Sequence, residues 1–210
     1  ILAGQDNDFA RGSLGGSMVM GGEGNDWVEA AAGNNLLLGD NGDLVQGLPI
    51  KRSVDSSIVG HDVLIGGVGN DDFDAETGDD IMVGGRGTNK FFGQLGFDWA
   101  SFANDQDGVH SDMENRLFAP PATATSPATM LDRYSQTEAV SGSAQADILR
   151  GDDLAGSGAD HGLSDANVSL IEGLEELLGT IDEAGDLRFS AGNILLGGGG
   201  SDILRGRGGD

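Results

Sequence analysis

Six residues, Gly-Gly-x-Gly-x-Asp, recur intact at 21–26, 66–71 and 197–202, and a repeat of fixed length restricts a fold more than any local propensity does. A nine-residue frame laid on Gly21 puts Asp8, Asp26, Asn35, Asp62, Asp71, Asp80, Asn89 and Asp98 at its sixth position, with Ser17 as the weak member. The frames at Leu44 and Ser53 lack the signature, and Leu48, Pro49, Lys51 and Arg52 read as a loop that leaves the phase intact. The eighth position is an independent check. It holds Ala10, Val19, Val28, Leu37, Leu64, Phe73, Met82, Phe91 and Ala100, and later Leu149, Leu195 and Leu204. Its neighbours at positions seven and nine include Glu29, Asp72, Asp74, Lys90 and Arg150, so the pattern is that of a short strand with only its middle side chain inward.

Each repeat is then a turn followed by a very short strand. Two repeats complete one coil, with a strand in each of two facing parallel sheets. The expected fold class is all-β, a right-handed parallel β-roll with loop insertions and one short amphipathic helix. Such a roll has little to bury, since only 38% of the chain is hydrophobic and 5% aromatic, while Gly supplies 38 residues. One Leu-sized side chain per repeat contributes about 1.5–3 kcal/mol, against about 1–2 kcal/mol for ordering each residue. Burial alone loses that comparison, so something else must hold the turns.

The turns indicate what it is. Glycine at positions one, two and four is expected to allow positive φ and to aim carbonyls at a common point, which the sixth-position carboxylate completes. These are hard oxygen donors, and calcium takes about 6–8 of them, more than one turn offers. An ion between turns one coil apart would pair Asp8 with Asp26, Asp62 with Asp80, Asp71 with Asn89, and Asp80 with Asp98. Ser17 with Asn35 brings no carboxylate and is expected to be weak or empty. Asp147 and Asp202 hold the matching place in the later repeats, and the turn glycines Gly22, Gly24, Gly67, Gly69, Gly85, Gly87, Gly198 and Gly200 are expected to contribute to the same sites. Several calcium ions are therefore the expected cofactor and partner. Zinc is disfavoured, because the chain has no Cys and its three His residues, His61, His110 and His161, are scattered; magnesium suits a carbonyl-rich cage less well. Thirty-five acidic against 11 basic residues give a formal charge of -24, which argues against nucleic acid and for a bound cation.

The rest divides the chain. Residues 1–101 read as a first roll, with a loop insertion at about 44–57. Residues 102–140 read as an irregular insertion with a Pro/Thr/Ala run at 119–127. Within it Asp105, Asp107 and Glu114 sit at positions three, five and twelve of an EF-hand-like loop, a possible extra metal site, although Ala103 stands at position one. Residues 141–210 read as a second short roll, out of phase with the first and interrupted at about 154–190. There Leu170, Ile171, Leu174, Leu177 and Leu178 share one helical face, with Ser164 or Asp165 as start and Gly179 as stop. Trp27 and Trp99 lie at position seven, on the outer side of the strand, where they could stack on a sugar or pack beneath an insertion. No apolar run approaches membrane-spanning length. Both ends look cut, so targeting signals are expected to lie elsewhere.

These repeats resemble the haemolysin-type (RTX) calcium-binding repeats of proteins exported by type I secretion, specifically over 21–43 and 57–101. The stretch Gly96-Phe97-Asp98-Trp99, Asp132-Arg133-Tyr134, Glu138 to Gly142, Ala146 to Asp153 and Gly192 to Gly209 further resembles very large bacterial RTX proteins that carry an animal-type haem peroxidase domain. The resemblance implies a secreted, extracellular module whose partners are calcium and neighbouring domains of its own polypeptide. It implies folding on calcium after export. A ligand-binding adhesin or carbohydrate-binding module is the alternative. No His-Glu-x-x-His, Gly-x-Ser-x-Gly or phosphate-loop motif is present, and no catalytic residue is expected.

Overall fold

The computed structural model describes residues 1–39, 60–117, 132–153 and 194–207, together with the backbone of 43–45, 48–50, 161–163 and 187–189. The expected helix, the Pro/Thr/Ala run and most of the loop at 44–57 lie outside these residues. The described residues contain strands and no helix. Leu2–Gln5, Met18–Glu23, Leu36–Leu38, Asp72–Thr77, Lys90–Leu95 and Arg133–Ser135 form a six-stranded sheet in that order. Phe9–Arg11, Trp27–Glu29, Val63–Ile65, Ile81–Val83, Trp99–Ser101, Ala139–Ser141 and Ile194–Leu196 form a seven-stranded one. All neighbours in both are parallel. Successive repeats alternate between the two sheets, which is the architecture of a coiled parallel chain, and strand order within each sheet follows chain order. A third parallel sheet, His110–Asp112, Ile148–Arg150 and Ile203–Arg205, joins the first long insertion to the last repeats.

Coils differ in length without losing register. Asp8 meets the residue 18 further along, whereas Asp26 meets the one 36 further along, because the segment carrying the antiparallel pair Asp43–Val45 and Leu48–Ile50 is looped out between them. The later repeats depart from the expectation of a separate second roll. Trp99 pairs with Ala139 and Ala139 with Ile194, so these strands extend the seven-stranded sheet directly. Nine-residue phase is a property of the chain between two strands, whereas hydrogen bonding needs only that the next strand arrive beside the last. An insertion of any length can satisfy that.

Inside, the eighth-position ladder is as expected through Leu149, with Leu195 only partly buried against it. Val19, Val28, Leu37, Leu64, Phe73, Met82, Phe91, Ala100 and Leu149 are fully buried and belong to one cluster, with Ala10 and Val140. Leu204 is 45% exposed, because its strand is the edge of the third sheet and has a neighbour on one side only. Phe91 stacks on Phe73 at 5.2 Å and on Tyr134 at 5.3 Å between ring centres, a column of rings at about the strand spacing of 4.8 Å.

The outside does not match the one-wet-face expectation equally on both sheets. On the six-stranded sheet Asp72 and Lys90 pair at 2.6 Å in solvent. On the seven-stranded sheet Val63, Ile81, Trp99 and Ala139 are buried together with Phe97, and Trp27, Ile65, Val83, Ile194 and Leu196 pack against them. From Val63 to Trp99 position seven alternates between apolar and charged residues, Val63, Asp72, Ile81, Lys90 and Trp99, so over these coils an eighteen-residue reading distinguishes the two faces where a nine-residue reading averages them; earlier, Met18 and Leu36 are apolar on the six-stranded sheet as well. Replacing Phe91 by Ala, which removes the middle ring of the stack, is expected to cost about 3–5 kcal/mol in denaturant melts at saturating calcium. Phe9, 66% exposed, is expected to cost under about 0.5 kcal/mol on the same change.

Candidate metal centre

The residue before each strand is the one the repeat places at position six. Its side chain does the same thing in coil after coil: one carboxylate or amide oxygen accepts the backbone N–H of the equivalent residue one coil earlier. In the first column Asp26 accepts from Asp8 at 2.8 Å, Asp62 from Asp26 at 2.7 Å, Asp80 from Asp62 at 2.7 Å, and Asp98 from Asp80 at 3.1 Å. In the second, Asn35 accepts from Ser17 at 2.7 Å, Asp71 from Asn35 at 3.0 Å, and Asn89 from Asp71 at 3.0 Å. A third, shorter column takes Val109 to Asp147 at 2.6 Å and Asp147 to Asp202 at 2.9 Å.

Two members of these columns fall outside the nine-residue frame and are not among the ligands expected from it. Glu138 accepts the Asp98 N–H at 2.8 Å, and Asp132 the Asn89 N–H at 2.5 Å, so each carries its column across the first long insertion. Both precede an apolar-centred strand, Ala139-Val140-Ser141 and Arg133-Tyr134-Ser135, and that local signal survives where the glycines are lost.

The second oxygen separates the sites. Oδ2 of Asp8, Asp26, Asp71 and Asp98 is buried and has no hydrogen-bond partner. A buried, half-satisfied carboxylate is costly, and it needs a counter-charge or a proton. At Asn35 the amide nitrogen instead donates to the Gly33 and Gly66 carbonyls and to Asp71 Oδ1, and at Asn89 it donates to the Gly85 carbonyl. Asp147 is also satisfied locally, by the Ser143 N–H at 2.7 Å and its hydroxyl at 3.0 Å.

The glycines have two distinct jobs. Gly22, Gly24, Gly67, Gly69, Gly85, Gly87, Gly198 and Gly200 all adopt positive φ, between 76° and 150°, and a Cβ on Gly67 or Gly85 would strike the carbonyl oxygen of the turn below. The first-position glycines do not have positive φ, contrary to expectation. They are small because the acid five residues on folds over them: a Cβ on Gly21, Gly66, Gly93 or Gly197 would run into Oδ2 of Asp26, Asp71, Asp98 or Asp202.

The EF-hand-like acids are not gathered. Asp107 pairs with Arg86 at 2.5 Å, Asp105 lies 4.0 Å from the same guanidinium, and Glu114 pairs with Arg207 at 3.2 Å. Among the described residues no three His, Cys, Asp or Glu side chains form a metal-holding group, so any ion site here must take most of its oxygens from the backbone.

Burial sets the electrostatics. It raises the Asp26 and Asp71 carboxyls, against the N–H bonds from Asp8 and Asn35 that lower them. It pushes Asp98 well up, helped by the Glu138 charge, and moves Asp132 to about 8 and Glu138 to about 7. A cation beside such groups would reverse the shift, because opposite charge favours the ionised form.

A family profile, the RTX calcium-binding nonapeptide repeat in 4 copies, matches residues 11–43, 59–99 and 189–210. The chain therefore carries RTX calcium-binding repeats, and the match covers the two main columns from Ser17 and Asp26 to Asn89 and Asp98, and the last turns. No curated protein and no solved structure matches.

Two outcomes follow. Gly66→Ala puts a methyl group against Asp71 and is expected to lose about 1–3 kcal/mol of stability in calcium, read as a higher calcium midpoint. In calcium-free solution Asp132 and Glu138 have folded values of about 8 and 7, above their ordinary 3.8 and 4.5. The folded chain then binds more protons than the unfolded one between about pH 4 and 8, and this contribution to stability falls as pH rises through that window. Circular dichroism of the calcium-free chain is expected to show more strand at pH 5 than at pH 8; less strand at pH 5 would contradict this assignment.

Proposed function

We propose that the chain is a calcium-dependent structural module, a parallel β-roll, of a secreted bacterial protein. The observation that carries this reading is the repeated buried carboxylate with one oxygen held by the neighbouring coil and the other without a hydrogen bond, as at Asp26, Asp71 and Asp98. Calcium would supply the positive charge and the appetite for oxygen that this arrangement lacks.

The residues that would hold it are the column aspartates Asp8, Asp26, Asp62, Asp71, Asp80 and Asp98, with carbonyls of the turn glycines. Glu138 and Asp132 continue the same columns. Asn35 and Asn89 contribute to stacking through their amides, since an amide N–H₂ does at a turn carbonyl what a cation does elsewhere. That supports a weak or absent ion at the Ser17–Asn35 step. Asp147 and Asp202 form a shorter column, in which Ser143 already occupies the Asp147 carboxylate.

Folding and ion binding are then one equilibrium. In low calcium the formal charge of -24 and the buried acids oppose the coil; at high external calcium the ion-bound state wins by mass action. A chain kept unfolded inside and folded outside suits export through type I secretion, so extracellular localisation belongs to this reading. The likeness to RTX proteins with a haem peroxidase domain would place any chemistry in other parts of a larger polypeptide. The glycan-binding alternative needs Trp27 and Trp99 open to a sugar; Trp99 is 1% exposed, within an apolar cluster, which favours packing.

The test is circular dichroism of the 210-residue chain during chelation and calcium return. Strand signal lost in excess chelator and regained with calcium, but not with the same concentration of magnesium, is the expected result. Full strand content in chelator at pH 8 would remove the reading.

A further inference from the structure

The fifth-position residues, next to the column acids, form ladders of their own. Asn7 Oδ1 accepts the Asn25 N–H at 3.0 Å, Asn25 Oδ1 the His61 N–H at 3.1 Å, His61 Nδ1 the Asp79 N–H at 2.9 Å, and Asp79 Oδ1 the Phe97 N–H at 2.9 Å. On the other side Asn34 Oδ1 accepts the Asn70 N–H at 3.0 Å and Asn70 Oδ1 the Thr88 N–H at 2.9 Å. These bonds run opposite to those of position six: a fifth-position side chain accepts from the coil after it, a sixth-position one from the coil before. Adjacent residues thus tie each turn in both directions.

Resting on the calcium reading above, we propose that the fifth-position side chains are positioning residues for the ion sites. They fix the separation and rotation of successive turns, so that the column acid and the turn carbonyls of two coils face the same point. Strand hydrogen bonds cannot do this alone. The turn apex lies several residues from either strand, and its backbone is tied to the next turn by single bonds, such as Gly33 N–H to the Val68 carbonyl at 2.7 Å and Gly69 N–H to that of Arg86 at 2.9 Å, about which the glycines at positions two and four still allow rotation. Because each fifth-position bond joins two turns, it also passes order from one ion site to the next, which makes calcium binding cooperative along a column.

The required property is an acceptor of the right reach. Asn, His and Asp follow one another along a single column, Asn25, His61, Asp79, with the same bond in each, so neither charge nor a particular side chain is demanded. Thr88 follows Asn70 in the other column and is too short to extend as far, and it is the last regular repeat of that column before the insertion.

The experiment is a calcium titration of the full chain by circular dichroism, with bound calcium counted at saturation, for the wild type, Asn70→Asp, Asp79→Asn, Asn70→Leu and Asp79→Leu. The two exchanges keep an acceptor while moving charge in opposite directions; the leucines keep the size and remove the acceptor. The exchanges are expected to keep the midpoint within about twofold of wild type. The leucines are expected to raise it by roughly three- to tenfold, the worth of one hydrogen bond, and to lower the Hill coefficient. Should a leucine variant fail to fold at any calcium concentration, wild-type midpoints and Hill coefficients in both exchanges uphold the proposal. Leucine variants that titrate like wild type, or an Asp79→Asn as impaired as Asp79→Leu, overturn it. A wild-type chain indifferent to calcium removes the calcium reading and this inference together; a responsive wild type with unaffected leucine variants removes this inference alone.

Discussion

The hydrogen bond from a backbone N–H to the sixth-position side chain one coil later is the interaction on which the rest of the structure depends. It occurs in three columns, links residues from 18 to 55 positions apart, and sits just before the strands, where the chain leaves a turn and enters a sheet. Each such bond sets the height at which the next strand arrives. It also buries a carboxylate, which no thin ladder of Val, Leu and Phe can compensate. The same contact therefore builds the stack and creates its need for positive charge.

That division of labour explains the tolerance for insertions. A coil is closed locally, by an acid before the strand and an apolar residue in its centre, so what lies between two coils is free to vary. The loop-out that joins Asp26 to Asp62, and the long excursion that joins Asp98 to Glu138, leave the ladder bond at 2.7 and 2.8 Å. Glycine matters for two reasons that composition cannot separate. At positions two and four the turn needs positive φ, yet Glu76 and Gln94 adopt 82° and 81° at the second position, so stacking can impose that conformation on other residues. At Gly21, Gly66, Gly93 and Gly197, in position one, the need is for space, because a carboxylate lies where a Cβ would be, whereas Ala75 holds a Cβ at the same place ahead of Asp80.

Much of this was legible in the sequence, and the parts that were not share a cause. The nine-residue frame identified the inward side chains and eight of the column residues from Asp8 to Asp98, because periodicity records contacts that repeat. It missed Glu138 and Asp132, since it relied on turn glycines that those repeats have lost. It misread the later repeats as a separate roll, because phase along the chain is not register between strands. It averaged the two outer faces, so the apolar stripe of Val63, Ile81 and Trp99 was hidden behind the charges of Asp72 and Lys90. The EF-hand-like acids looked grouped in sequence, but spacing says nothing about Arg86 and Arg207, which reach them from distant turns.

The most direct measurement is anomalous scattering from crystals grown in calcium. Peaks lying between successive column carboxylates, Asp62 with Asp80 and Asp80 with Asp98 among them, with none at the Ser17–Asn35 step, are what this account predicts. Ordered coils with those carboxylates in place and no anomalous density between them would contradict it.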